Sequence, residues 1–109
     1  MCGIAGVIVR RGSPDASQLF RAAEALGHRG PDERGVRVVD SVGLAHTRLS
    51  IIDLAGGHQP IADAESRYLL VANGEVYNFV ELRTALEADG CRFVTGSDSE
   101  TILHVYDRY

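Results

Sequence analysis

Gly3-Ile4-Ala5-Gly6-Val7-Ile8-Val9 is the stretch that decides the fold. It is short, apolar and rich in β-branched residues, with small glycines, and so reads as a buried strand. A secretory signal needs a basic start, a longer apolar core and a small-residue cleavage site, whereas this run is brief and is followed by Arg10 and Arg11. The chain therefore begins inside the fold, with Cys2 immediately ahead of its first strand.

Outward from that strand, Ser13 offers an N-cap with Pro14 at the first helical position. Ala16, Leu19, Phe20, Ala23 and Leu26 then recur at helical spacing until Gly27. His28-Arg29-Gly30-Pro31-Asp32 is turn-rich, and Val36, Val38, Val42 and Leu44 fit two strands of a hairpin around Asp40-Ser41. Residues 48–52 continue extended, and residues 53–60, with Gly56, Gly57 and Pro60, read as a surface loop able to shape a pocket. Residues 68–72 make another strand that ends at Asn73-Gly74. Asn78 and Glu81 have the spacing of an N-cap and its reciprocal partner, ahead of a helix with Phe79, Leu82 and Leu86 on one face. Residues 91–94 form a short strand candidate, and Ser97 with Glu100 repeats the capping spacing before a last helix carrying Ile102, Leu103 and Tyr106. This order predicts an α+β fold with helices packed on antiparallel sheet, without internal repeat or linker.

Composition narrows the function. With 45% hydrophobic and 24% charged residues in 109, the chain has the make-up of one ordinary folded domain. A net charge of −4 without any Lys/Arg run gives no electrostatic footprint for nucleic acid or an anionic membrane. No apolar stretch approaches the roughly 20 residues that span a bilayer. The expectation is a cytoplasmic protein with a small-molecule ligand. Cys2 and Cys91 have no oxidising context that would pair them. His28, His46, His58 and His104 are scattered without a short ligand pair, so no metal is expected and the histidines read as surface or hydrogen-bonded residues.

Cys2 is the most informative position. Removal of Met1 would leave a cysteine whose own α-amine lies beside its thiol, and the two groups are close enough in basicity to exchange a proton near neutrality. A thiolate attacks a carboxamide carbon, and dividing amide hydrolysis into thioester formation and thioester hydrolysis replaces one difficult step with two easier ones. Cys2 alone reads equally as a small apolar residue at the start of a buried strand. Asn73-Gly74 reads both as a hairpin turn and as an amide and a backbone N–H suited to a developing oxyanion, where a lost donor costs roughly 3 to 4 kcal/mol. Arg48, among apolar neighbours, either faces solvent or aims a planar fork at a carboxylate. Asp98 stands where a helix cap would, and Glu75 reads by itself as a solvated charge. An arginine with one or two carboxylates would match both charged ends of a free amino acid.

Taken together, several motifs resemble one family in order and spacing. They are Met1-Cys2-Gly3-Ile4-Ala5-Gly6, His28-Arg29-Gly30-Pro31-Asp32, His46-Thr47-Arg48-Leu49-Ser50-Ile51-Ile52-Asp53, Gln59-Pro60, Asn73-Gly74-Glu75-Val76-Tyr77-Asn78 and Thr95-Gly96-Ser97-Asp98-Ser99-Glu100. The sequence resembles the class II, N-terminal-nucleophile glutamine amidotransferases, above all the glutaminase domain of glutamine-hydrolysing asparagine synthetases. That resemblance implies Cys2 as nucleophile, Asn73 and Gly74 as oxyanion donors and Arg48 as the clamp on the α-carboxylate of L-glutamine. Glu75 and Asp98 would receive its α-amino group, and Leu49, Ser50, Ile51 and Ile52 would line the pocket. Arg29 would lie near the site without an assignable role. The implied fold is an αββα sandwich of the N-terminal-nucleophile hydrolase type.

The same resemblance makes residues 1–109 the expected leading portion of a glutamine amidotransferase type-2 domain, with its synthetase domain absent. ATP and Mg would belong to that synthetase domain or subunit, the ammonia acceptor, since no Ser-Gly-Gly type phosphate loop occurs in residues 1–109. This chain itself is expected to carry no cofactor. Exposed strand edges in a truncated sandwich favour association, so a homodimer stays open. Two other readings stand beside glutaminase activity: a non-catalytic fragment or module that binds glutamine or a partner, and an N-terminal cysteine amidase for other acyl amides. The second suits Arg48, Glu75 and Asp98 less well, because these charges match a zwitterion.

Overall fold

The computed structural model describes residues 1–49 and 57–109. The N-terminal run forms strand β1 (Gly3–Ile8), which is followed by helix α1 (Ala16–Ala25) and the hairpin β2 (Glu33–Val39) and β3 (Val42–Arg48). The three strands make one antiparallel sheet in the order β1-β3-β2. Gly3 lies opposite Thr47 and Ile8 opposite Val42, while Glu33 pairs with Arg48 and Val39 with Val42. The hairpin turns at Asp40, whose φ of 52° is a left-handed conformation that aspartate tolerates.

Strand alternation sends Ala5, Val7, Val36, Val38 and Ala45 to one face, where they pack on Leu19 and Ala23 of α1. Burying a leucine such as Leu19 contributes about 1.5–3 kcal/mol. Gly43 makes room for it, because a Cβ there would run into Leu19 Cδ1. The expected burial of β1 holds only on this face: Ile4 and Ile8 point the other way, and Ile8 is 77% exposed. Helix α1 also starts two residues later than Ser13-Pro14 suggested. Asp15 is the cap, with its carboxylate accepting from Ser17 N–H at 2.9 Å, and Pro14 is buried ahead of it.

The second half is less regular. Strands β4 (Ile61–Ala62) and β5 (Leu69–Leu70) form a two-residue ladder, so the strand expected over 68–72 shrinks to its centre. Helices α2 (Phe79–Ala88) and α3 (Glu100–Arg108) pack on each other, with Leu86 and Leu103 buried. Residues 91–94 do not form a strand. The buried carboxylate of Glu100 accepts from Val94 N–H at 2.7 Å, Thr95 N–H at 2.6 Å and the Thr95 hydroxyl at 2.5 Å, a side-chain substitute for ladder bonds. Asn78 takes the N-cap position of α2 as expected but makes no side-chain cap bond. Before α3, which begins at Glu100 behind Ser99, the Ser97 hydroxyl accepts from Ser99 N–H at 3.2 Å, while Glu100 turns to Val94 and Thr95 and does not complete the reciprocal pair.

A polar staple ties the β4-β5 turn to α3. Arg67 spans Asp63 at 3.1 Å and Asp107 at 3.0 Å, and the Tyr68 and Tyr106 rings meet edge to face at 5.4 Å. Burial of Asp63 works to raise its pKa, but hydrogen bonds from the Tyr68 and Arg67 groups outweigh it and hold the carboxyl below its ordinary value. Among the described residues no helix is long and apolar enough to cross a membrane.

Candidate active site

A cavity of about 440 Å³ lies between the sheet end carrying β1 and β3 and the segments around residues 72–79 and 96–99. That volume falls inside the roughly 300–1,000 Å³ range of small-molecule pockets. Cys2, Arg48, Leu49, Asn73, Gly74, Glu75 and Asp98 all line it, although they are spread over nearly the whole chain. Ser50, Ile51 and Ile52 lie outside the described residues.

Cys2 and its neighbour Gly3 are held by their surroundings at three points. Arg29 Nε donates to its carbonyl at 3.1 Å, which gives that arginine a structural task the sequence left unassigned. Leu49 N–H donates to Cys2 Sγ at 3.4 Å, and the next residue, Gly3, donates its N–H to Thr47 Oγ1 at 3.1 Å. Gly3 and Gly30 are both fixed by closeness: a Cβ on Gly3 would sit 2.7 Å from Thr47 Oγ1, and one on Gly30 2.5 Å from Arg48 N. The His28–Asp32 loop can thus lie directly on β3, where Asp32 N–H donates to Arg48 O. Both Cys2 and Cys91 are free thiols, and Met1, 73% exposed, lies on the cavity rim.

Arg48 is 7% exposed and pairs with Glu33 Oε2 at 3.3 Å, while Gly57 packs against its guanidinium. The inward reading of Arg48 therefore holds, with Glu33 as a counter-ion that the sequence did not reveal. Asp98 Oδ2 accepts from Val76 N–H at 2.7 Å. This bond anchors the far end of the Asn73–Glu75 segment, whose residues are exposed and outside any helix or strand. Among the described residues no group of three His, Cys, Asp or Glu side chains is placed to hold a metal ion.

Among the lining residues that the sequence did not single out as site residues, two hold the backbone of Ala72. His46, 2% exposed, brings Nε2 to 3.2 Å from Ala72 O, and Gln59, 7% exposed, accepts from Ala72 N–H through Oε1 at 2.6 Å. Burial lowers the His46 pKa most, the Ala72 carbonyl opposes this, and Arg48 and His58 lower it further against a smaller raising effect of Glu33. A signal existed for His46: it lies two residues before Arg48 on one strand, so an inward Arg48 implies an inward His46. The signal for Gln59 was only its place in a matching motif.

An α+β fold that brings a cysteine next to the chain start, a buried arginine and two carboxylates around one cleft defines a small-molecule domain with a thiol in its pocket. The match with known proteins is specific: residues 1–109 align with the glutamine amidotransferase domain, and the chain belongs to that family. It is 40% identical over 113 residues to "Asparagine synthetase [glutamine-hydrolyzing] 1" of Bacillus subtilis (strain 168), covering 100% of this chain and 18% of that protein. It is 39% identical over 111 residues to "Asparagine synthetase [glutamine-hydrolyzing]" of Zea mays, and 41% over 114 to the protein of the same name in Triphysaria versicolor. Both alignments cover 100% of this chain and 19% of the relative. The chain thus spans about a fifth of the length of the curated relatives it matches.

Proposed function

We propose that this domain hydrolyses L-glutamine to L-glutamate and ammonia through a thioester on Cys2, as the glutaminase part of an asparagine synthetase-like amidotransferase. The observation that carries the reading is the gathering of Cys2, Arg48, Asn73, Gly74, Glu75 and Asp98 around one cavity. With Met1 removed, the Cys2 α-amine accepts the thiol proton. The thiolate attacks the carboxamide carbon, and the oxyanion receives hydrogen bonds from the Asn73 side-chain amide and Gly74 N–H. The amine then passes its proton to the departing nitrogen, the C–N bond breaks and ammonia leaves. Water, deprotonated by the same amine, attacks the thioester carbon, and the C–S bond breaks to release glutamate and restore the thiol.

Binding follows from charge. Arg48 grips the α-carboxylate with its planar fork, its charge shared with Glu33. Glu75 and Asp98 take the ammonium group, Asp98 using the oxygen that does not hold Val76. Leu49 lines the side of the pocket. The open apolar sheet face bearing Ile4, Ile8 and Val39 supports a further layer over it, as in an αββα sandwich of the N-terminal-nucleophile type. On this reading residues 1–109 are the leading part of the glutaminase domain, and the acceptor of its ammonia is a synthetase domain or subunit.

The test is intact mass after incubation with a glutamine-like diazo-ketone, on the processed chain and on Cys2→Ala. The expected result is one adduct that requires Cys2 and is blocked by L-glutamine, together with ammonia release from glutamine by the unmodified chain. A folded chain lacking Met1 that gains no adduct and releases no ammonia refutes the proposal in favour of a non-catalytic module.

A further inference from the structure

We infer that His46 and Gln59 are positioning residues that set the Asn73–Gly74 oxyanion donors by clamping the backbone of Ala72 from both sides; this rests on the glutaminase reading above. Ala72 has one backbone donor and one acceptor, and a buried side chain takes each. Its N–H donates to Gln59 Oε1 at 2.6 Å, and its carbonyl lies 3.2 Å from His46 Nε2. A carbonyl oxygen only accepts, so Nε2 carries the proton and donates, which fixes the tautomer of the ring.

Both clamps are themselves anchored in the sheet. His46 belongs to β3 between Ala45 and Thr47, each fully buried. Gln59 is pressed on β2 at Gly35, where an added Cβ would collide with the Gln59 carbonyl. Beyond Ala72 the chain crosses Asn73, Gly74 and Glu75 with no atom of the described residues within 4 Å of where a Gly74 side chain would begin, and among those residues it is caught again where Val76 N–H meets Asp98 at 2.7 Å. A short bridge takes its position from the two ends that hold it. Catalysis is sensitive to that position, since a displacement of about 1 Å from a productive geometry can cost roughly 10²-fold in rate.

The proposal is tested on the processed chain with Gln59→Met, which keeps volume and removes the acceptor, and His46→Leu, which removes the donor. Expected are a fall of about 10–100-fold in kcat for glutamine and a KM within about 2-fold of wild type, as for loss of a transition-state interaction alone. The alkylation rate of Cys2 by iodoacetamide, a reaction that develops no oxyanion, stays at its wild-type value, and His46→Gln, which keeps a donor at similar reach, recovers most of kcat. Folded variants with unchanged kcat, or with alkylation and kcat lost in parallel, overturn the inference.

Amide exchange on the wild-type chain covers variants that fail to fold. Ala72 N–H should exchange much more slowly than the amides of Asn73 and Gly74, and the His46 nitrogen resonances should report the Nε2–H tautomer. Equal exchange at Ala72 and Gly74, or the other tautomer, overturns the clamp. If the processed wild-type chain releases no ammonia, the glutaminase reading and the catalytic role of the clamp fall together, whereas slow exchange at Ala72 would still retain it as a backbone anchor.

Discussion

His46 is the residue at which stability and the site meet. Burial favours its neutral ring, so its pKa in the folded chain lies below the ordinary value of about 6.5 that it regains on unfolding. Between those two values the unfolded chain binds more protons, so the stability contribution is complete above about 6.5 and is lost as pH falls toward the folded pKa. Arg48 and His58 reinforce this direction, and Glu33 and the Ala72 carbonyl oppose it. Urea unfolding at pH 7.5 and 5.5 should show wild type losing more stability on acidification than His46→Gln, with the slope from this one proton bounded by about 1.4 kcal/mol per pH unit. Equal losses would mean that His46 is not held neutral. At this scale the sequence was informative where chemistry marks a residue: Cys2, Arg48, Asn73, Gly74, Glu75 and Asp98 were all named from their types and motif positions, and all line the cavity. It was silent on partners that fold from afar, such as Glu33 for Arg48 or Ala72 for His46, because a hydrogen bond across 15 or 26 residues leaves no local pattern.

Elements failed to follow the sequence pattern where a side chain did the work of backbone. Ser13 was expected to cap helix α1, yet Asp15 supplies the cap. Asp15→Ala should therefore cost about 1 kcal/mol, the usual loss of an N-cap, while Ser13→Ala stays within about 0.5 kcal/mol as an ordinary exposed substitution. Equal effects in denaturant unfolding would return the cap to Ser13. Residues 91–94 carry a strand-like composition but end against Glu100, whose carboxylate satisfies Val94 and Thr95. Glu100→Ala leaves those two N–H groups without their acceptor at a cost of about 1–3 kcal/mol each, read as a lower urea midpoint, and Glu100→Gln, with one acceptor oxygen left, should lose less. The β2-β3 hairpin, by contrast, was legible because alternation and the Asp40-Ser41 turn agree locally. That β1 joins the sheet beside β3 and not β2 was not legible, since both neighbours offer the same alternating apolar face.

The whole molecule is flat, with principal extents of 40 × 32 × 19 Å and a radius of gyration of 14.3 Å against about 13 Å for an evenly packed chain of this length. One helix covers one face of the three-stranded sheet, and the cavity forms where the ends of β1 and β3 meet the segments that lead into α2 and α3. A ligand seated there touches both halves of the chain and stabilises their association by mass action. L-Glutamate keeps both charged ends of the proposed substrate without a cleavable amide, so it should raise the melting temperature of the folded chain. At a hundredfold excess over its Kd the gain is about 2.7 kcal/mol, which for a domain of this size amounts to a shift on the order of 10 °C. Cys2→Ala should keep that shift, because the nucleophile contributes no charge-based grip, whereas Arg48→Met and Asp98→Asn should each reduce it through loss of one end of the zwitterion clamp. A melting temperature indifferent to high-millimolar glutamate, or a shift that survives Arg48→Met undiminished, would separate the cavity from amino-acid binding, and the thiol would then need a different substrate.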